Sequence, residues 1–216
     1  MSQDLTSYYN DRAKEYDKVY QIPEEKEDLV KASELFQKIF KNKSVLEIAC
    51  GTGYWTEQIS ITANSILATD INKSVIDIAK TKNFNNNVIF EIADMNNLIT
   101  AKIFDGFFGG FIWSHILLQD IDKLLRKLKD QIIENGDIVF IDSNQVLGGA
   151  HDKNRITRVD KFGNTFQTRK LENETTYEVL KNFPSKHFLI DKLSQISTDI
   201  NIIELEHYWI ATSKKC

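Results

Sequence analysis

The sequence predicts an α/β domain with a doubly wound, mostly parallel sheet and an N-terminal helical cap. Three observations carry this. From Phe40 to Asn144, short apolar runs alternate with amphipathic stretches, the rhythm of βαβ units whose helices cover both sheet faces. The stretch VLEIACGTGYW, residues 45–55, ends an apolar run in two glycines and opens a helical pattern. The closing INIIELEHYWIATSKK, residues 200–215, holds two strands with almost nothing between them. Such closeness requires antiparallel pairing, because a parallel pair needs a long crossover.

The elements follow in order. Residues 1–40 form the cap, with a helix expected from about Asp11 to Tyr20. Pro23 and the acids after it suit the start of a second helix. Its apolar stripe is Leu29, Ala32, Leu35, Phe36 and Ile39. Residues 41–144 form the core. Strands are expected at 44–50, 65–70, 87–94, 103–113 and 137–143. Helices are expected at 54–63, 73–82 and 120–136, the last ending on Gly136. Residues 145–183 break the rhythm as a polar insertion. In it FQTRKL and TTYEVLKNF flank ENE as a hairpin. Residues 184–216 close the single domain with a helix at about 184–196 and the final strand pair.

Composition narrows the function. The net charge is −4, from 27 basic and 31 acidic residues, and the pI is about 5.6. That disfavours a nucleic-acid partner, which usually requires a basic face. No apolar run reaches the ~18 residues of a membrane span. The N-terminus lacks a secretory pattern, so a cytoplasmic location is expected. Two cysteines, Cys50 and Cys216, make neither a disulfide framework nor a metal site.

A glycine turn at the end of the first strand lets backbone approach a ligand without an intervening Cβ. A dinucleotide fingerprint would need a third glycine, where Thr56 stands. A tight turn that binds nothing is the plainer alternative.

The motifs together resemble the class I S-adenosylmethionine-dependent methyltransferases. YYNDRAKEYD is similar to their N-terminal cap and VLEIACGTGYWT to their first motif. ATDINKSVIDIAK, FEIADMNNL and FDGFFGGFIWSH are similar to the next three, and EHYWIATSKK to their reversed last strand. The resemblance implies a seven-stranded Rossmann-like sheet with the last strand antiparallel. It also implies S-adenosylmethionine as methyl donor, with S-adenosylhomocysteine as product.

Residue roles follow from the resemblance. Glu47 would lie near the donor's ammonium, and Ala49, Gly51 and Gly53 would form the bend against it, beside Trp55. Asp70 would hold the ribose hydroxyls and Ile71 would face the adenine. Asp94 and the Met95 amide would meet the adenine edge. Phe111, Ile112 and Trp113 would flank the donor. Tyr8, Tyr9, Arg12 and Tyr16 would form a lid, with Arg12 on the donor's carboxylate. Each acid has a plainer role as a cap of local amides, and the lid could simply pack on the domain rim.

The acceptor side is less specified. The sequence lacks the N/D-P-P-Y/F and Pro-Cys signatures of base methylation, and Asp142 alone makes no metal site. A small-molecule O- or N-acceptor is therefore expected. His115 and His151 are candidate general bases, although His115 could be structural. Arg155, Arg158, Lys161, Arg169 and Lys170 could hold an anionic substrate or form a solvated face. A nicotinamide-dependent oxidoreductase and a non-catalytic nucleoside-binding domain remain the alternatives.

Overall fold

The computed structural model describes residues 3–84, 87–97, 100, 102–145 and 155–216, with the side chains of 3–5 and 14 left aside. The central sheet holds β1 (Ser44–Ile48), β2 (Ser65–Asp70), β3 (Val88–Ile92), β4 (Phe104–Gly110), β5 (Ile132–Ser143), β9 (Ser197–Glu204) and β10 (Tyr208–Lys215). Their order is β3-β2-β1-β4-β5-β10-β9. β10 runs antiparallel to both β5 and β9, and the other neighbouring pairs are parallel. This is the expected seven-stranded sheet with a reversed last strand.

Among the described residues six α-helices accompany it: α1 (Gln3–Arg12), α2 (Lys26–Ile39), α3 (Tyr54–Ser60), α4 (Lys73–Ala79), α5 (Ile121–Lys129) and α6 (Lys186–Leu193). The sheet's two faces build separate cores because neighbouring side chains of a strand point to opposite faces. Val45, Phe36, Trp55, Phe108 and Val139 pack on one side. Leu46, Ile48, Phe107, Phe140, Leu124 and Leu189 pack on the other. Each such fully buried side chain contributes about 2 kcal/mol.

Four expectations differ from the structure. The helix expected from Asp11 to Tyr20 is instead the end of α1 followed by a 3₁₀ helix over Ala13–Gln21. Tertiary contacts draw this segment out: Asp17 is held by Thr52 and Lys82, and Tyr20 stacks on Tyr54 at 3.7 Å.

Gly136 does not end a helix; α5 stops at Lys129, and residues 132–136 begin β5, with Ile132 pairing with Phe104. Asn135 has φ of 61°, and a Cβ on Gly136 would lie 2.4 Å from Ile132 Cγ2 and 2.9 Å from the Asp105 carbonyl oxygen. The Asn-Gly pair therefore makes an irregularity within a strand, where only glycine fits.

β4 ends at Gly110 rather than continuing to Trp113, because Phe111 turns left-handed and Trp113–His115 form a 3₁₀ turn. Finally, the loop-like insertion contains β6 (Ile156–Val159), which joins the expected hairpin of β7 (Thr165–Lys170) and β8 (Thr176–Leu180) in a small antiparallel sheet. Its polar, exposed face hides the strand from hydrophobic periodicity.

The small sheet is bound to the domain at the residues after β8. Asn182 N donates to the Ser114 carbonyl at 2.8 Å, and its side-chain amide donates to the Ile116 carbonyl at 3.0 Å. Lys181 donates to Ser114 Oγ at 2.9 Å and pairs with Asp142 at 3.0 Å. α1 lies against β8, where Tyr8 and Tyr177 rings meet at 5.6 Å and Tyr177 donates to Asp11.

Candidate active site

Two cavities open at the carboxyl ends of the strands, where ligands of open α/β sheets bind. The first, about 390 Å³, is lined by Ala49, Gly51, Asp70, Asn72, Val75 and Ile112 together with Tyr9, Tyr16, Phe111 and His115. The second, about 660 Å³, shares those last four residues. It extends to Tyr8, Arg12, Glu25, Arg169, Lys181 and Tyr208. One ligand in each cavity would meet across a common wall.

The first cavity is built by the bend after β1. Ala49, Gly51 and Gly53 all have positive φ, at 50°, 55° and 81°. Glycine adopts this region freely, whereas Ala49 holds it at a cost of about 1 kcal/mol. Phe111 at the end of β4 does the same, with φ of 54°. Both strained residues line the cavity. At Gly51 an added Cβ would make only ordinary contact with the Tyr16 ring, at 3.5 Å, so it is the positive φ that favours glycine there.

Asp70, at the tip of β2, accepts from the amides of Gly51 at 3.0 Å and Asn72 at 2.9 Å. Burial pushes its pKa up, and the amide hydrogen bonds oppose that shift. A carboxylate has about four acceptor directions, so two amides leave capacity for a ligand's hydroxyls. The capping role and the ligand role are compatible.

Glu47 lies beneath the bend and is 1% exposed. Burial raises its pKa to about 8; the nearby Thr56 hydroxyl opposes the rise and Asp70 adds to it. Its Oε2 has no hydrogen-bond partner. A buried carboxylate without a partner is costly, and a cationic ligand group above the bend would answer it. The bare bend, the orphaned acid and the ribose-ready Asp70 therefore fit an S-adenosyl nucleoside.

Not all of the expected donor residues gather there. Trp55 packs in the core against Phe36 at 5.2 Å, and Trp113 packs against Phe140 at 4.9 Å; neither lines either cavity. These two corrections share a cause: Trp55 in the first turn of α3 and Trp113 in the 3₁₀ turn after β4 are large rings that fill the core rather than the ligand space. Met95 is buried in the core. Asp94 Oδ1 accepts from the Asn96 amide at 2.9 Å and from its side chain at 3.0 Å, so the capping alternative accounts for that oxygen. Ile71 follows Asp70 and is half-buried. His151 lies outside the described residues.

His115 is brought to the common wall, but not as a strong base. Its Nδ1 lies 2.5 Å from the Leu180 carbonyl, which can only accept, so Nδ1 carries the proton. Nε2 then accepts from the Tyr9 hydroxyl at 2.7 Å. Burial lowers its pKa to about 3, helped by the Lys181 ammonium and opposed by Asp142. His115 is thus a neutral acceptor that fixes Tyr9, which corrects its assignment as a general base.

The lid reading gathers Tyr8, Tyr9, Arg12 and Tyr16 over the second cavity. The Arg12 guanidinium lies 5.7 Å from the Tyr8 ring centre and 5.5 Å from that of Tyr16. Burial pushes the Tyr16 pKa up to about 12, so its hydroxyl keeps its proton. Sequence reasoning passed over Tyr208, Glu25 and Lys181. They come from distant segments, and Tyr208 donates to Glu25. Asp142 is fully buried. Burial would raise its pKa, but Lys181, His115 and two amides outweigh this and hold it below the ordinary value. Among the described residues, no group of three or more acids, histidines and cysteines is placed to hold a metal. No helix among them is long and apolar enough to cross a membrane.

With this geometry in place, the comparisons with known proteins agree. Residues 45–136 match the family model described as a methyltransferase domain. That stretch is under half of the chain, and over it the sequence is similar to methyltransferases. The reversed β10 also separates the chain from the all-parallel dinucleotide order. More particularly, it is 27% identical over 165 residues to a malonyl-[acyl-carrier protein] O-methyltransferase of Bacillus cereus, covering 74% of this chain and 56% of that protein. It is 28% identical over 110 residues to phosphoethanolamine N-methyltransferase 1 of Zea mays, covering 48% of this chain and 22% of that one. The chain spans about half the length, or less, of the curated relatives it matches. The DhpI-SAM-HEP complex shares the fold with a TM-score of 0.80 at 22% identity, over 99% of both chains. The PH0226 protein of Pyrococcus horikoshii shares it with a TM-score of 0.74 at 17% identity, over 94% of this chain and 99% of that one.

Proposed function

We propose that the chain transfers the methyl group of S-adenosylmethionine to a small-molecule acceptor. The observation that carries this reading is the pair of cavities with one common wall of Tyr9, Tyr16, Phe111 and His115. The cavity under the bend takes the donor. Asp70 holds ribose hydroxyls, Glu47 answers the ammonium, and Ala49, Gly51 and Gly53 present backbone. The cavity under the lid takes the acceptor.

The donor supplies an already activated methyl group, so the protein's task is mainly to position the two reactants. Arg12, on the lid over the second cavity, would pair with the donor's carboxylate where that reaches past the common wall. Tyr16 lines both cavities and donates its hydroxyl. The malonyl-[acyl-carrier protein] relatives take a carrier-linked acceptor by their name, whereas the lid and small sheet here enclose a space that suits a free small molecule.

Calorimetry tests the donor. S-adenosylmethionine and S-adenosylhomocysteine should bind and NAD should not; tight NAD binding would refute the reading. Transfer of a labelled methyl group to a metabolite panel separates an enzyme from a nucleoside-binding domain.

A further inference from the structure

The five cations of the insertion singled out above meet different fates. Arg158 forks onto Glu178, with Nε to Oε1 at 2.9 Å and Nη2 to Oε2 at 2.6 Å. Lys170 pairs with Glu174, and Arg155 and Lys161 are exposed. Arg169 alone lines the acceptor cavity. Its Nη2 donates to Gln167 Oε1 at 2.6 Å. No carboxylate among the described residues pairs with it.

Ion pairing around this cavity is uneven. Lys181 is paired with Asp142, and the lining's acid, Glu25, keeps its charge but accepts from the Tyr208 hydroxyl and forms no ion pair with either arginine. Arg12 and Arg169 remain, both without an acidic partner among the described residues. The donor's single carboxylate can satisfy one of them. Burial, reinforced by Arg12 and Arg155 and opposed by the neighbouring Tyr8 and Tyr9, makes the Arg169 cation harder to hold. A half-buried guanidinium facing a cavity calls for an anion there.

Among the described residues, the common wall of Tyr9, Tyr16, Phe111 and His115 offers no free proton acceptor. His115 has its Nδ1–H on Leu180 and its Nε2 lone pair on Tyr9. An alcohol or an ammonium group must lose a proton to accept a methyl group, whereas the anion of an acid need not. Resting on the methyltransferase reading above, we infer that the acceptor is a small acid bound as its anion by Arg169, and that an oxygen of that acid group receives the methyl.

The step balances without a base. The acid's oxygen supplies the electron pair of the new O–CH₃ bond as the C–S bond breaks, and sulfur keeps that bond's pair. The sulfonium becomes a neutral thioether, the acid loses one negative charge, and no proton moves. Carboxylic and phosphonic acids share this chemistry.

The test begins with S-adenosylhomocysteine binding by calorimetry. The nucleoside-loaded protein is then titrated with small carboxylic acids, phosphonic acids, and amides and alcohols of the same carbon skeletons, and each is assayed for transfer of labelled methyl. One acid class should bind and be methylated on oxygen, and which class does so identifies the acid. The amides and alcohols should do neither. Arg169→Met should weaken acid binding by about 100-fold, Arg169→Lys should recover part of it, and nucleoside affinity should stay within about twofold in both. With nucleoside saturating, transfer to a carboxylic acid should be flat from about pH 6 to 9, because its only ionisation is complete below that range. A protein that binds the nucleoside but no acid overturns this inference alone; one that does not bind the nucleoside overturns the donor reading as well. Methylation of the alcohols, or Arg169→Met acid affinity within about threefold of the parent, would also overturn it.

Discussion

The donor cavity is made mainly by neighbours in the chain, whereas the acceptor cavity is assembled from its far ends. Residues 49–75 supply the bend, Asp70 and the start of α4, and only Phe111, Ile112, His115 and the lid come from elsewhere. The acceptor side joins residues 8–25, 111–115, 143, 169–181 and 208. Local geometry builds the first through positive-φ residues and capping acids. Long-range ion pairing and sheet docking build the second. A disturbance on the acceptor side should therefore show as lost stability, and one on the donor side as lost ligand.

The sharpest break of that contrast is Lys181→Met. It leaves Asp142 buried without its counter-ion, which costs about 3–5 kcal/mol and lowers the melting temperature by roughly 10 °C. Nucleoside affinity of the folded protein should hold. A melt within about 2 °C of the parent would show that the pair does not support the acceptor side. Asp70→Ala should do the reverse: nucleoside affinity falls by about 100-fold with a smaller change in melting. Calorimetry showing unchanged affinity would remove Asp70 from the site.

Glu47→Gln separates folding from function within the donor side. The folded-state pKa of Glu47 is raised from 4.5 to about 8, so the unfolded chain releases its proton first. Stability from this group is full below about pH 4.5 and is lost as the pH rises toward 8. The Gln variant should lack that slope and gain on the order of 2 kcal/mol at pH 8, while binding the cationic nucleoside less tightly. Denaturant melts at pH 5 and pH 8 read the first effect; a slope equal to the parent's would show that Glu47 ionises normally. The smallest expected effect is Tyr9→Phe, which removes the hydroxyl donated to His115 Nε2. It should cost about 1 kcal/mol, read in the same melts. A rise in stability would mean that the His115 nitrogen finds another partner.

Legibility in the sequence follows the same division. The glycine bend, Asp70 and the reversed last strand are short-range patterns, and each was visible. Trp55 and Trp113 were assigned to the donor because motif position says nothing about which way a ring turns. Asn135–Gly136 resembles a helix terminus in sequence, and only the pairing of Ile132 with Phe104 shows it to be an irregularity inside β5. On the acceptor side, Arg169 could not be told from Arg158 or Lys170. What distinguishes it is the absence of an acid across the strands, and that depends on the pairing of β7 with β8.

The segment Ala13–Gln21 has one further consequence. A 3₁₀ helix rises about 2.0 Å per residue, against about 1.5 Å in an α-helix, so nine residues act as a longer ruler than the same sequence coiled normally. The segment leaves α1 directly after Arg12 and carries Tyr16, Asp17 and Tyr20. Its length sets the spacing between the end of α1 and the anchors on Thr52, Tyr54 and Lys82. Removing a single residue would pull Asp17 and Tyr20 about 2 Å out of step with Thr52, Lys82 and Tyr54, and the lid would lose its fastening to the bend.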